Sequence, residues 1–206
     1  GSLGTSLAIR LAMARHDVII GSRNPHHAIS SASKLSALDS KTCIKGASNA
    51  DVAAQASIIF VTIPYKAQIQ TLGELQGSLV GKIVVSAVNH LIFHKGFAEV
   101  ESVPSGSAAL EAQTILPSSN VVAGFQTVSY LSLKKLELVL DLDVIVCSDH
   151  DIAKKEVMSL AESIRGVRAI NGGVLANSAY VESLTALLLN INKIYKCDSS
   201  VKITGM

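Results

Sequence analysis

The chain has 206 residues, of which 49% are hydrophobic and 17% charged, so it can bury one large core or two small ones and is neither disordered nor fibrous. A net charge of +2 without a basic run, together with the lack of Trp, argues against nucleic acid as the main partner. The longest uncharged stretch, between Glu111 and Lys134, is interrupted by Pro117 and polar neighbours. We therefore expect no transmembrane helix and no membrane partner.

The first four residues match the second half of a glycine-rich dinucleotide fingerprint. Gly1 and Gly4 have the spacing of the second and third glycines of G-x-G-x-x-G. The second of these lets the backbone approach a pyrophosphate, and the third lets the helix pack closely. Because the fingerprint follows a strand, we expect roughly ten residues forming a first, central strand to precede Gly1 in the natural protein. A Gly-Ser remnant of a cleaved tag is the alternative.

Strand-like and helix-like segments then alternate along residues 1–140. The predicted strands are Val18–Gly21, Thr42–Lys45, Ile58–Ile63, Lys82–Ser86 and Val121–Phe125. The predicted helices are Ser2–Arg15, Pro25–Ala37, Asn49–Ala56, Ala67–Gln76 and Ser107–Leu116. This alternation indicates an α/β fold, with a Rossmann-type doubly wound parallel sheet that lacks its first strand. Ligands of such sheets bind outside the carboxyl ends of the strands.

Residues 141–206 predict a second, smaller α/β domain that closes the ligand crevice. Its strands are Asp143–Cys147, Arg168–Ile170 and Val201–Thr204, and its helices are Asp151–Ile164 and Val174–Tyr195. Asp149 or Asp151 is expected to cap the first of these helices, and Gly166 to follow its end.

The tip of the strand after the first helix predicts which dinucleotide binds. NAD-specific proteins place a carboxylate there for the ribose 2′-hydroxyl, whereas an Arg accommodates the 2′-phosphate of NADP. The tip of this chain reads Gly21-Ser22-Arg23-Asn24 and contains no acid. Ser22 and Arg23 therefore predict NADP, and a solvated surface Arg beside a turn is the alternative interpretation.

The predicted strand Ile58–Ile63 ends with Thr62 and Ile63 and is followed by Pro64. A proline after a buried strand ends the hydrogen-bond ladder and turns the chain where the nicotinamide half of the cofactor would lie. An ordinary strand-to-helix turn would have the same pattern.

Other candidate chemistries lack partners in the sequence. His90 and His94 are four residues apart, but no nearby carboxylate or Cys completes a metal site, so we predict none. The three cysteines, Cys43, Cys147 and Cys197, are far apart and are expected to be free thiols in a reducing cytoplasm. No nucleophile system is recognisable, which favours hydride transfer between bound cofactors, because such transfer needs orientation more than a protein acid or base.

Compared as a whole, the chain resembles the F420-dependent NADP reductases. The resemblance runs almost end to end, and it is carried by five groups of residues: Gly1 to Gly4, Gly21 to Arg23, Thr62 to Tyr65, Lys82 to Ser86, and Asn177 to Ile191. The last group lies outside the dinucleotide-binding domain and so separates this family from other Rossmann proteins.

The resemblance implies a homodimeric, cytoplasmic oxidoreductase that transfers hydride between reduced coenzyme F420, a deazaflavin, and NADP. It also implies the residues that hold the two cofactors. The NADP residues are Gly1, Ser2, Leu3, Gly4, Ser22, Arg23, His27, Thr62, Ile63 and Pro64. The deazaflavin residues are Ala87, Val88, Asn89, Gln126, Thr127 and Val128. No side chain is expected to act as a catalytic acid or base.

Three positions depart from the family pattern. His27 stands where the family often has a Lys beside the 2′-phosphate, and a His is only partly charged at neutral pH. Gln126 stands where a His is frequent, and Tyr65 where a Trp is frequent. Because the last two lie near the deazaflavin, the alternatives are an NADPH-dependent reductase of a flavin or an imine, and an NADP-binding module without turnover.

Overall fold

A computed structural model describes residues 1–39 and 41–206. Its helices are α1 (Ser2–Met13), α2 (Pro25–Ser36), α3 (Asn49–Gln55), α4 (Gln68–Leu75), α5 (Ala108–Ile115), α6 (Tyr130–Lys134), α7 (Asp151–Glu162) and α8 (Ser178–Tyr195). Its strands are β1 (Val18–Ser22), β2 (Ile44–Ser48), β3 (Ile58–Val61), β4 (Ile83–Ser86), β5 (Leu91–Phe93), β6 (Ala98–Val100), β7 (Asn120–Ala123), β8 (Leu142–Val146) and β9 (Val167–Asn171). Short 3₁₀ turns cover Tyr65–Ala67, Gln76–Leu79 and Leu175–Asn177.

The strands pair mainly in parallel, as the α/β prediction requires. β1 pairs with β2, and β4 lies between β3 and β7, all in parallel register. β8 and β9 form a further parallel pair. An antiparallel bridge between Ala123 and Cys147 joins β7 to the end of β8. The carboxyl ends of β1, β3, β4 and β7 are the ends at which a doubly wound sheet binds its ligand, and we call them the carboxyl edge.

Helices cover both faces of the sheet, because successive side chains of a strand point to opposite faces. In β4, Val85 packs in a core with residues of α1 and α7, whereas Val84 packs in a second core with residues of α3, α4 and α5. Both valines are fully buried. The nearly continuous apolar sequence of these strands is therefore explained by burial on two faces.

The helices begin where side chains can satisfy their free amides. Asn24 caps α2 by accepting from the His26 amide at 3.0 Å, and Pro25 takes the first helical position. Ser107 caps α5 by accepting from the Leu110 amide at 3.0 Å. These caps fix the directions in which α2 and α5 leave the carboxyl edge.

A gap separates β1 from β3. A cavity of about 520 Å³ lies between the two strands and is lined by residues of both, together with Leu7 and Leu11 of α1. The Rossmann strand order has a central strand at this position. The expectation of such a strand in the natural protein stays a prediction.

The second unit, residues 141–206, shares a core with the first. Val144 of β8 and Val157 of α7 belong to the same buried cluster as Leu7 and Val85. The buried core therefore includes residues from both sides of position 140. A domain boundary between residues 140 and 141 stays a prediction.

Several predicted boundaries were wrong. β2 begins two residues later than expected, and residues 201–204 form no strand, although the Val201 carbonyl accepts from the Asp143 amide at 2.9 Å. His150, not an aspartate, occupies the N-cap of α7. Asp149 instead accepts from the Leu175 amide at 3.0 Å. The hairpin β5–β6 and helix α6 were not predicted, since their short segments lack a clear period.

Candidate functional site

The N-terminal end of α1 lies against the end of β3. The first amides of a helix have no acceptor within it, so those of Ser2, Leu3 and Gly4 are free to bind an anion. A Cβ on Gly4 would stand 2.5 Å from the Thr62 hydroxyl oxygen, and one on Gly1 would stand 3.6 Å from the Thr62 carbonyl oxygen. A side chain at position 4 would therefore displace the Thr62 side chain, and the free amides of α1 fit a pyrophosphate.

The residues that are predicted to bind the 2′-phosphate lie at the tip of β1. Ser22 is half-buried, and its hydroxyl accepts from the Asn24 amide at 3.2 Å. Arg23 and His27 are exposed. No ion pair forms between Arg23 and any residue within 1–39 and 41–206, so its guanidinium is free to meet a phosphate. The structure thus brings Ser22, Arg23 and the first turn of α2 to one edge.

β3 ends at Val61, two residues before the predicted end at Ile63, so Thr62, Ile63 and Pro64 connect β3 to a 3₁₀ turn. Thr62 and Ile63 are half-buried, and Pro64 is exposed. The next residue, Tyr65, donates from its hydroxyl to Glu111 at 2.9 Å. Burial and then this hydrogen bond raise the pKa of Tyr65 to about 12. Tyr65 is therefore protonated at neutral pH and cannot act as a base.

The predicted deazaflavin residues fall into two segments that follow β4 and β7. The side chains of Ala87, Val88 and Val128 belong to the buried cores, and so they support the site from behind. Asn89 is half-buried, and its amide donates to the Gln126 carbonyl at 3.0 Å, which ties the two segments together. Gln126 and Thr127 are also buried, so Asn89 is the one side chain of these six residues that is partly exposed.

Polar atoms without partners lie in these segments. Among residues 1–39 and 41–206, no donor meets the side-chain oxygens of Asn89 and Gln126, although both atoms are buried. Buried acceptors are normally satisfied by protein, water or a ligand. A deazaflavin ring carries an N–H donor, so the chemistry of these acceptors is compatible with it.

The structure also identifies residues that sequence reasoning missed. His90 is buried, and its Nε2 lies 3.0 Å from Oε2 of Glu182 in α8. Thr185, one turn further along α8, donates to the Gln126 carbonyl at 3.0 Å. Both α8 residues lie in the segment that carries the family resemblance. Sequence spacing gave no signal for these contacts, because they join residues far apart in the chain.

His90 and His94 do not form the helical pair that their spacing allows. They flank strand β5, and His94 pairs with Glu99 at the surface with 2.9 Å between Nε2 and Oε2. In the part of the chain that the structure describes, no three His, Cys, Asp or Glu residues are grouped as a metal site. Nor is any helix in that part long and apolar enough to cross a bilayer.

Comparison with known proteins agrees with this geometry. The profile of the family described as "NADP oxidoreductase coenzyme F420-dependent" matches residues 1–90. The F420-dependent NADP reductase of Methanothermobacter marburgensis is 36% identical over 93% of this chain and 88% of its own length. The enzyme of the same name from Methanocaldococcus jannaschii is 35% identical over 100% of this chain and 95% of its own.

A solved structure has the same fold. A protein of Arthrobacter sp. FB24, provisionally assigned as an F420-dependent NADP-reductase, superposes with a TM-score of 0.84 at 25% identity and covers 100% of this chain and 96% of that chain. Identity above one third to the two archaeal reductases, over nearly their whole length, is decisive. The chain belongs to the F420-dependent NADP reductase family.

Proposed function

We propose that this protein is an oxidoreductase that transfers hydride between reduced coenzyme F420 and NADP. The observation that carries the proposal is the match to reductases named for both cofactors along 88% and 95% of their lengths. The exposed Arg23 at the tip of β1 and the free amides of α1 give NADP a binding edge of the right charge.

The NADP contacts proposed at the carboxyl edge are those that the motifs and the family resemblance imply. The pyrophosphate binds the amides at the start of α1, and the 2′-phosphate binds Ser22, Arg23 and His27. The nicotinamide lies beside the segment that follows β3. The complete set is Gly1, Ser2, Leu3, Gly4, Ser22, Arg23, His27, Thr62, Ile63 and Pro64.

The deazaflavin binds beside the ends of β4 and β7. Asn89, the partly exposed side chain of these segments, contacts it, and the core side chains behind Asn89 keep this wall of the site rigid. The complete set is Ala87, Val88, Asn89, Gln126, Thr127 and Val128.

The chemistry belongs to the two cofactors, since hydride passes between C5 of the deazaflavin and C4 of the nicotinamide. The protein contributes orientation, because holding two reactants in contact removes most of the entropic barrier. Apolar residues such as Ile63 exclude water from the nicotinamide side. Tyr65 keeps its proton, so no side chain of the 62–65 segment competes for one.

The direct test mixes the protein with reduced coenzyme F420 and either NADP or NAD, and follows the return of oxidised deazaflavin absorbance. Rapid oxidation with NADP and little with NAD is the expected result. NADP binding without oxidation of the deazaflavin would instead point to a flavin or imine acceptor. Tight NADP binding with no acceptor reduced at all would point to a binding module.

His27→Ala is expected to weaken NADP binding several-fold and to leave NAD binding nearly unchanged, because the imidazole is proposed to donate to the 2′-phosphate that only NADP carries. Calorimetric titration of both dinucleotides checks this. His26→Ala, at an exposed neighbour, is the matched control. An unchanged ratio of NADP to NAD affinity in His27→Ala would contradict the assignment.

A homodimer is the proposed assembly. An exposed apolar stripe runs along α8 through Tyr180, Leu187 and Ile194, which repeat every seven residues. The β5–β6 hairpin, packed against α8, adds exposed Phe93 and Phe97. Large aromatic side chains bury roughly 150–250 Å² each. The combined surface therefore approaches the roughly 800 Å² per partner of a stable interface.

The same stripe gives a measurable expectation. Leu187→Asp should convert a dimer into a monomer of 21.6 kDa in light scattering, because it places a charge in the apolar centre of the stripe. Ile152→Asp changes an even more exposed aliphatic residue, on α7, and should leave the dimer intact. A monomeric parent protein, or a dimeric Leu187→Asp variant, would contradict this interface.

A cytoplasmic location is also proposed. Cys43, Cys147 and Cys197 are all free, which is the usual state of thiols in a reducing compartment.

A further inference from the structure

His90 is fixed by three of its atoms. It lies beside Asn89, its ring is buried, and Nδ1 is hydrogen-bonded to the Glu101 carbonyl oxygen. Nε2 lies 3.0 Å from Oε2 of Glu182. The backbone carbonyl of His90 accepts from the Glu101 amide at 2.8 Å. These contacts hold both the ring and the chain of segment 87–90.

The partners of Glu182 determine the charge of the pair. Its Oε2 accepts from the Ala108 amide at 2.8 Å, and its Oε1 accepts from the Ala109 amide at 3.2 Å. These amides are the free N–H groups at the start of α5. The Glu101 carbonyl oxygen accepts at Nδ1, and the Glu182 carboxylate lies at ion-pair distance from Nε2 without being aligned as a hydrogen-bond acceptor for that atom. Acceptor groups thus face both ring nitrogens, and the neighbouring Glu182 raises the pKa of His90 against the effect of burial, which favours the imidazolium.

The remaining titratable groups around His90 come from three other elements. Tyr65 packs edge-on against the ring with 6.0 Å between centroids, and its hydroxyl is committed to Glu111. Glu101, before α5, adds negative charge nearby. Because Tyr65 is neutral at physiological pH, the charges that face His90 are carboxylates, and they favour its protonated form.

One face of α8 holds both deazaflavin segments. Glu182 holds His90, and Thr185, three residues later, holds the Gln126 carbonyl. That carbonyl also accepts from the Asn89 amide at 3.0 Å. A shift of His90 would therefore move Asn89 relative to Gln126.

We propose that His90 and Glu182 form a buried ion pair that positions the 87–90 segment, so that deazaflavin affinity depends on the protonation of His90. The proposal rests on the proposed function. His90 is a positioning residue, since it acts through Asn89. When the pH rises above the pKa of His90, the neutral ring has one N–H for two acceptors, and Glu182 loses its counter-charge. The 87–90 segment is then held less firmly beside the deazaflavin, whereas the proposed NADP residues on α1 and β1 are unaffected.

The test compares the parent protein with Glu182→Gln, His90→Gln and Glu99→Gln. Glu99→Gln is the matched control, because it removes the carboxylate of the exposed His94–Glu99 pair on the same hairpin. Two readouts are needed. Nitrogen-15 NMR of the histidine rings reports the protonation of both His90 nitrogens, and fluorescence titrations from pH 6 to 9 give separate affinities for the deazaflavin and for NADP.

In the parent protein, both His90 nitrogens should carry protons at pH 7, and deazaflavin affinity should fall about tenfold as the ring deprotonates. Glu182→Gln should lower the pKa of His90 and weaken deazaflavin binding about tenfold at pH 6.5, with NADP affinity within twofold of the parent value. His90→Gln, which cannot titrate, should show no such pH step even if Glu182→Gln fails to fold. Glu99→Gln should match the parent protein.

A singly protonated His90 in the parent protein at pH 7 would overturn the proposal. So would a pH step that persists in His90→Gln, because it would then belong to the ligand. An equal loss of NADP and deazaflavin affinity in Glu182→Gln would show a structural role only, and would also overturn it. A parent protein that binds no deazaflavin at any pH would refute the proposed function itself.

Discussion

Arg23→Ala is expected to weaken NADP binding by about ten- to a hundredfold and to change NAD binding by less than threefold. A charge-assisted hydrogen bond contributes roughly 1.5–3 kcal/mol, and each 1.4 kcal/mol is about tenfold in affinity. Arg23 has no protein ion pair among the described residues, so its full charge is available to the 2′-phosphate. Calorimetric titration of both dinucleotides measures the selectivity directly.

The control for Arg23 is Lys34→Ala, which removes the same charge from the far end of α2. Only Arg23→Ala should also lose the steep decrease of NADP affinity with ionic strength, because screening acts on the phosphate contact. An unchanged ratio of NADP to NAD affinity in Arg23→Ala would show that this arginine is only a solvated surface residue.

Arg10→Met is expected to lower the free energy of unfolding by about 3–4 kcal/mol, which corresponds to roughly 10 °C in the melting temperature. Arg10 lies in α1 with 4% of its surface exposed. Its guanidinium donates to a set of carbonyl oxygens in α6 and in the segment that follows it: those of Ser132, Leu133, Lys135, Leu136 and Leu138. Methionine fills much of the volume but removes the guanidinium donors, and within the described residues only the Ser132 and Lys135 oxygens then keep a backbone donor, from the amides of Lys135 and Leu138.

Circular dichroism melts of the parent protein, Arg10→Met and Arg10→Lys test this role. Arg10→Lys keeps the charge but has a single nitrogen, so it should recover only part of the stability. Arg165→Met, at an exposed arginine, should melt within about 1 °C of the parent protein. A melting temperature of Arg10→Met close to that of Arg165→Met would show that the carbonyl cluster needs no donor.

The burial of Arg10 depends on a contact that the local sequence pattern does not predict. Leu7 and Leu11 of α1 are buried, and position 10, three residues after Leu7, lies on the same face of the helix. An arginine is nevertheless rarely buried, so its residue type alone would predict exposure to water. Arg10 is buried because residues 132–138, which end α6 and follow it, direct their carbonyl oxygens toward one face of α1. Such a cage is a property of the assembled chain.

The proposed deazaflavin site likewise combines residues that the sequence predicted with contacts that only the structure shows. Asn89 and Gln126 were located by resemblance, and their position after β4 and β7 is confirmed, although their roles stay predictions. His90 had no recognisable partner in the sequence. Its partner is Glu182, ninety-two residues away, and the pair forms only when α8 packs against the start of α5.

The sequence by itself determined the α/β class, the glycine-dependent start of α1 and the acid-free tip of β1. These features depend on local spacing, on backbone conformation and on which residue types lie at strand ends. All three can be inferred from residues that are close together in the sequence. Only the tertiary structure decided the carbonyl cage of Arg10, the His90–Glu182 pair and the core shared by residues on both sides of position 140. Each of these joins residues distant in sequence, and local periodicity carries no information about which distant surfaces will meet.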